Sequence, residues 1–154
     1  MKGGEMAYDI RPFHGIGPIT FGMDRSEVRK TLPAPFEEYR QNEFANNTSD
    51  AFDNIGVTVH YDQDNKCECI SIWSDEEPVT FQERAIFKEN PSQIVEWIKV
   101  LDGSAKLGGE NTLTSTLYCM SIGFDGDPSD PDASISDITL FTKRYYETNL
   151  KDYV

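Results

Sequence analysis

Proton transfer near neutral pH calls first for histidine, and this chain of 154 residues has two, His14 and His60. Neither lies in a nucleophile motif such as Gly-x-Ser-x-Gly. His14 is set among glycines and prolines, and His60 falls on the outward side of an alternating run. Both read as surface or edge histidines, since a catalytic triad would need partners from elsewhere in the chain. Carboxylates number 27, and that abundance leaves no single pair standing out for glycoside hydrolysis. Asp125-Gly126-Asp127-Pro128-Ser129-Asp130-Pro131-Asp132 holds oxygen enough for a calcium ion. Its order is wrong for an EF-hand, however, and Asp, Gly, Pro and Ser are what turns require. A solvated hairpin loop is expected there, and no metal. Cys67 and Cys69, two apart on one face of an expected strand, and the distant Cys119 make neither a secreted disulfide framework nor a zinc site. Gly108-Gly109 is not followed by Lys-Ser/Thr, so no phosphate cradle or cofactor is expected. No catalytic residue is assigned, and an enzyme is not expected.

With 14 basic residues against the 27 acidic ones, the net charge is −13. Nucleic acid and anionic membranes are poor partners for such a chain, and a basic protein surface is a good one. A hydrophobic content of 38% supplies a core, so the chain should fold. The first nine residues lack the apolar stretch of a signal peptide, and no run approaches the roughly 20 apolar residues of a membrane span. A soluble, cytoplasmic protein is the expectation.

Two matching helix starts organise the elements. Asn90-Pro91-Ser92-Gln93-Ile94 and Asp24-Arg25-Ser26-Glu27-Val28 each have the pattern of a capping box, with Pro91 suited to the first helical position. Ile94, Trp97, Ile98 and Leu101 form the stripe of a helix packed on a core. Strands are expected at 19–23, 55–61, 66–73, 79–87, 117–124 and 134–141. Residues 36–53 read as loop. Val57, Val59, Tyr61, Asp62 and Asp64 fall opposite Met120, Ile122, Phe124, Asp125 and Asp127 at an offset of 63, and Ile70 and Ile72 fall opposite Ile138 and Leu140 at 68. The pattern predicts an old duplication. The expected fold is α+β: tandem β-α-β-β units forming one curved antiparallel sheet with both helices on one face. Residues 1–18 would be an irregular lead-in, 19–78 the first unit, 79–146 the second and 147–154 a tail, all within one compact domain.

Gly17-Pro18-Ile19-Thr20-Phe21-Gly22-Met23-Asp24-Arg25-Ser26-Glu27-Val28 resembles the opening of small outer-membrane assembly lipoproteins of the SmpA/OmlA type. The tandem helix-plus-strands order resembles the β-lactamase inhibitor protein fold. The lipidated Cys of the first family and the disulfides of the second have no counterpart here. The resemblance implies a protein-binding scaffold that offers a sheet face to its partner. Size and acidity together also resemble an immunity protein of a bacterial toxin system.

The function expected from all this is a non-catalytic protein-binding module, an inhibitor or immunity-type protein covering a basic partner. Its outward sheet face would carry Thr58, His60, Ser71 and Trp73 with Ser121, Thr139 and Phe141. Trp73, Phe141 and His60 would anchor the partner, and Asp62, Asp64, Asp75, Glu76, Asp125 and Asp127 would steer it. Arg144, Tyr145 and Tyr146 either extend this face or dock the C-terminal tail. The alternatives are a small acidic hydrolase using an Asp/Glu pair or His60, and a structural protein whose outer face meets a copy of itself.

Overall fold

The computed structural model describes residues 8–153. From Tyr8 onward the Gly- and Pro-rich opening forms strands, because the breakers act as turns. Strands β1 (Tyr8–Arg11), β2 (Gly15–Ile16) and β3 (Ile19–Thr20) form a tight meander. Gly15 has φ +149, and a Cβ there would collide with the Ile19 carbonyl, so only glycine lets the strands close so tightly. An irregular lead-in is therefore corrected from residue 8 onward, and its first seven residues lie outside those described.

Helix α1 (Arg25–Thr31) is followed by β4 (Glu37–Tyr39), β5 (Ser49–Phe52), β6 (Val57–Tyr61), β7 (Cys67–Ile72), β8 (Val79–Phe81) and β9 (Arg84–Ala85). Helix α2 (Pro91–Leu101) precedes β10 (Lys106–Gly108), β11 (Thr112–Ser115), β12 (Met120–Asp125) and β13 (Ser134–Phe141). A short α3 (Lys143–Tyr145) then continues helically to Tyr153.

The fold is α+β with two sheets where one was expected. Eight strands in the order β10-β11-β12-β13-β7-β6-β5-β4 are antiparallel throughout. A smaller sheet, β3-β2-β1-β8-β9, contains one parallel pair, β1 with β8. The leading strands β3 and β8 thus leave the main sheet, and β4, β5, β10 and β11 extend it from segments without strand periodicity.

The expected core largely forms. Val28, Ile94 and Ile98 share one buried cluster with Val57, Val59, Ile70, Ile72, Met120, Ile122, Ile138 and Leu140. Each large apolar side chain so buried contributes on the order of 2 kcal/mol before entropy. Asn90 caps α2 by accepting from the Ser92 and Gln93 amides at 3.0 and 3.4 Å. Asp24 makes no cap bond to α1, because its carboxylate turns instead to the Lys66 ammonium.

At the centre of the large sheet Ser71 pairs with Thr139, their hydroxyls 2.8 Å apart. Outward from that seam the pairings match. Val57–Ile72, Val59–Ile70 and Tyr61–Cys67 on one side have Met120–Leu140, Ile122–Ile138 and Phe124–Ile135 on the other. Further out, Asp50–Val59 and Glu38–Asp50 correspond to Leu113–Ile122 and Leu107–Leu113. A β-bulge falls between His60 and Tyr61 on one side and between Gly123 and Phe124 on the other. It leaves Glu68 as an extra residue, so Cys67 enters the main core and Cys69 a separate cluster. The expectation that these two cysteines share a face is corrected by that bulge.

Candidate functional site

The large sheet has a second face, away from the main core. Successive registers align Ala51, Thr58, Ser71, Thr139, Ser121 and Thr114 across it as one row of small, mostly hydroxyl-bearing side chains. A neighbouring row runs Ser49, His60, Cys69, Phe141. This second row is closed off, because the C-terminal helical segment lies on it. Tyr145, Tyr146 and Leu150 pack with Cys69, Cys119 and Phe141. The Phe141 and Tyr146 rings stack at 6.1 Å, as do those of His60 and Tyr145.

Two expected anchors are thereby corrected. Phe141 is 0% and His60 9% exposed. Both face outward from the sheet, but the docked tail covers them. His60 Nδ1 lies 2.6 Å from Ser49 Oγ, and burial pushes its pKa down to about 4, so the ring is neutral at pH 7. The cavity beside this Ser–His pair measures about 20 Å³, room for one water and not for a substrate.

Trp73 stands at the opposite end of the sheet, 44% exposed, with its indole N–H directed to Thr58 Oγ1 at 3.5 Å. Ile72 pairs with Ile138, so the chain leaving β7 through Trp73, Asp75 and Glu76 runs beside the start of β13. Asp125 pairs with Ser134 there, and the loop carrying Asp127 follows. Asp75, Glu76, Asp125 and Asp127 are all exposed. Asp127 accepts from the Ser129 amide and hydroxyl at 2.9 and 2.8 Å, which hold its carboxyl below the usual range. Asp130 likewise accepts from the Asp132 amide. These are self-contained turns, and no group of three or more His, Cys, Asp or Glu gathers for a metal among the described residues. Asp62 and Asp64 lie at the far end, in the β6–β7 turn, where Asp62 accepts from the Asp64 and Lys66 amides at 2.8 and 3.0 Å. The nine expected residues therefore divide. Trp73, Asp75, Glu76, Asp125 and Asp127 share one end, and His60, Phe141, Asp62 and Asp64 the other.

Sequence reading missed a charged cluster beneath α1. Asp50 is fully buried and accepts from Arg29 Nε and Nη2 at 2.8 Å each, Arg25 Nη2 at 3.1 Å and the Tyr61 hydroxyl at 3.0 Å. Burial alone would raise its pKa, but the bonds from Arg29, Arg25 and Tyr61 outweigh it and hold the carboxyl below its ordinary range. Arg29 also meets Glu38 at 3.2 Å, and the guanidinium of Arg25 lies over the Tyr61 ring. The one sequence signal for this cluster was Arg25 and Arg29, four apart on one helix face.

Among the described residues no helix is long and apolar enough to cross a membrane. Comparison of the chain with known protein families, curated proteins and solved structures finds no match.

Proposed function

We propose that this chain is a protein-binding module of the inhibitor or immunity kind, covering a basic partner with the Trp73 end of its large sheet. The observation that carries the reading is a half-exposed tryptophan at the sheet end that also carries the exposed Asp75, Glu76, Asp125 and Asp127. An exposed indole and carboxylates at one end suit a surface of arginine and lysine, which can offer cation–π contacts to the first and ion pairs to the second. The half-buried hydroxyls of Thr58, Ser71, Ser121 and Thr139 offer hydrogen-bonding groups on the same sheet face. The charge of −13 raises the encounter rate with a cationic surface.

Affinity capture from an extract of the source cells tests the reading. The wild-type chain retains a basic protein, Trp73→Ala releases it faster, and asparagine at Asp75, Asp125 and Asp127 slows its capture and flattens the salt dependence. Equal retention by wild type and Trp73→Ala, or turnover of a small substrate abolished by His60→Ala, overturns it.

The same reading takes the scaffold as two copies of one unit, residues 19–78 and 79–146. Matched pairings and matched bulges on either side of the Ser71–Thr139 seam support it. So does a systematic exchange of character. Glu38, Asp50 and Tyr61 occupy the register positions of Leu107, Leu113 and Phe124. Arg29 stands five residues beyond its helix cap, as Val95 stands five beyond Asn90. Four of the five members of the charged cluster, Arg29, Glu38, Asp50 and Tyr61, thus have an apolar counterpart.

A further inference from the structure

A groove of about 460 Å³, apart from the Trp73 end, lies between the β1–β2 turn, the β11–β12 turn and the C-terminal helical segment. Phe13 and Leu117 line it and are 51% and 54% exposed, an unusual outlay of large apolar surface on two separate turns. Phe13 also holds φ +68, a left-handed conformation that a bulky side chain rarely adopts, and Cys119 in the same wall holds φ +51. Strain of this kind persists where the surrounding structure enforces it, and it gathers at ligand-binding sites.

The third wall is amphipathic. Lys143, Tyr146, Glu147 and Lys151 line the groove from one helical face. Neither lysine is in an ion pair among the described residues. On a chain with only 14 basic residues against 27 acidic, two ammonium groups and one carboxylate bordering an apolar floor form a local inversion of charge. Two turns and a short helical face bound the space on three sides, which suits a small molecule better than a strand or helix of a partner. Its volume is that of ordinary small-molecule sites.

We propose that the groove between Phe13, Leu117 and Tyr146 binds a small amphipathic anion, an acid with an alkyl or aryl body. The body lies against Phe13 and Leu117, and the anionic head meets Lys143 and Lys151. Tyr146 closes the floor. Glu147 in the same wall disfavours a doubly charged head and favours a monoanion such as a carboxylate.

Decanoate is a suitable probe, titrated by calorimetry and by amide chemical shifts on the full chain. It should bind saturably and at least tenfold more tightly than decyltrimethylammonium, which has the same tail and the opposite charge. Lys143→Glu with Lys151→Glu should weaken decanoate tenfold or more. Phe13→Gly separates binding from folding, because glycine accepts φ +68 freely. That variant should melt no lower than wild type and still lose at least fivefold in affinity. The proposal is overturned if the two decyl probes bind equally, if Phe13→Gly leaves decanoate affinity unchanged, or if the shifts map away from Phe13, Leu117 and Tyr146.

Discussion

Replacing Asp50 by leucine removes the one fully buried carboxylate that balances Arg25 and Arg29. Both guanidiniums are held under partial cover, with side-chain exposures of 11% and 27%, so each keeps a charge with reduced access to water. Breaking a buried pair in this way costs about 3–5 kcal/mol. At roughly 2–4 °C per kcal/mol for a chain of this length, Tm should fall by about 6–20 °C. The loss should shrink when Arg29, Glu38, Asp50 and Tyr61 are exchanged together for their register counterparts, as Arg29→Val, Glu38→Leu, Asp50→Leu and Tyr61→Phe. Arg25 then still donates to Thr48 Oγ1 at 2.9 Å, Asn65 Oδ1 at 3.2 Å and Asn47 Oδ1 at 3.3 Å. Substituting buried ion clusters by packed apolar side chains is neutral or stabilising by about 1–4 kcal/mol. Three further substitutions should therefore restore most of what Asp50→Leu alone loses, Arg25 keeping only neutral acceptors. Urea unfolding of wild type, single and quadruple variants measures this. A quadruple variant no more stable than Asp50→Leu would refute both the energetic account and the equivalence of Asp50 with Leu113.

Between pH 6.5 and about 4 the unfolded chain takes up a proton at His60 that the folded chain refuses. The stability held by the neutral ring is thus complete above pH 6.5 and lost toward pH 4, on the order of 3 kcal/mol, and His60→Gln should flatten that part of the stability–pH curve. Asp50 acts in the same direction at lower pH. Its depressed pKa contributes stability that is present above the ordinary carboxylate range and lost as pH falls through the folded value, and the quadruple variant should lack that acid-sensitive component. Asn90→Ala should cost about 1 kcal/mol in thermal unfolding, whereas Asp24→Ala should leave the α1 cap unchanged, since Asp24 does not cap it.

Periodicity made the α+β class and the inner strands legible, because alternation at Val57–Tyr61 and the stripe Ile94, Ile98 state directly which side is buried. It failed where burial does not alternate. β4 is Glu-Glu-Tyr and β10 is Lys-Leu-Gly, short edge strands whose composition protects an open edge and carries no pattern. β1 to β3 hide in a glycine-rich stretch because tight turns and irregular chain use the same residues. Among the expected interface residues, the exposure of Trp73, Asp75, Glu76, Asp125 and Asp127 was legible from type and position. The covering of His60 and Phe141 was not, since it depends on where the segment after Thr142 docks, and nothing local to His60 records that. The Asp50 cluster was hidden for a related reason. Its members come from α1, β4, β5 and β6, and only the register brings them together.

Two like units in one chain face a folding hazard that the charged cluster answers, on the reading that they are copies. A helix and strand pair from either unit presents the same pattern to the other, so each could seat in its counterpart's place, within the chain or between chains. Leu113 and Leu107 beside Val95 accept apolar neighbours, whereas Asp50 requires Arg29 and Arg25. A misplaced α2 over β5 would strand a buried carboxylate against Val95, and a misplaced α1 over β11 would bury arginines against leucine. Each mispairing costs several kcal/mol that native pairing does not. The cluster therefore contributes specificity even where it contributes little stability. The quadruple variant, with that distinction reduced to Arg25, should stay close to wild type in equilibrium unfolding and yet refold with lower monomer yield, as sizing after rapid dilution from urea would show. Swapped dimers should grow with protein concentration during refolding. Wild-type monomer yield from the quadruple variant at every concentration would remove the specificity role and leave the cluster as one unit's private substitution.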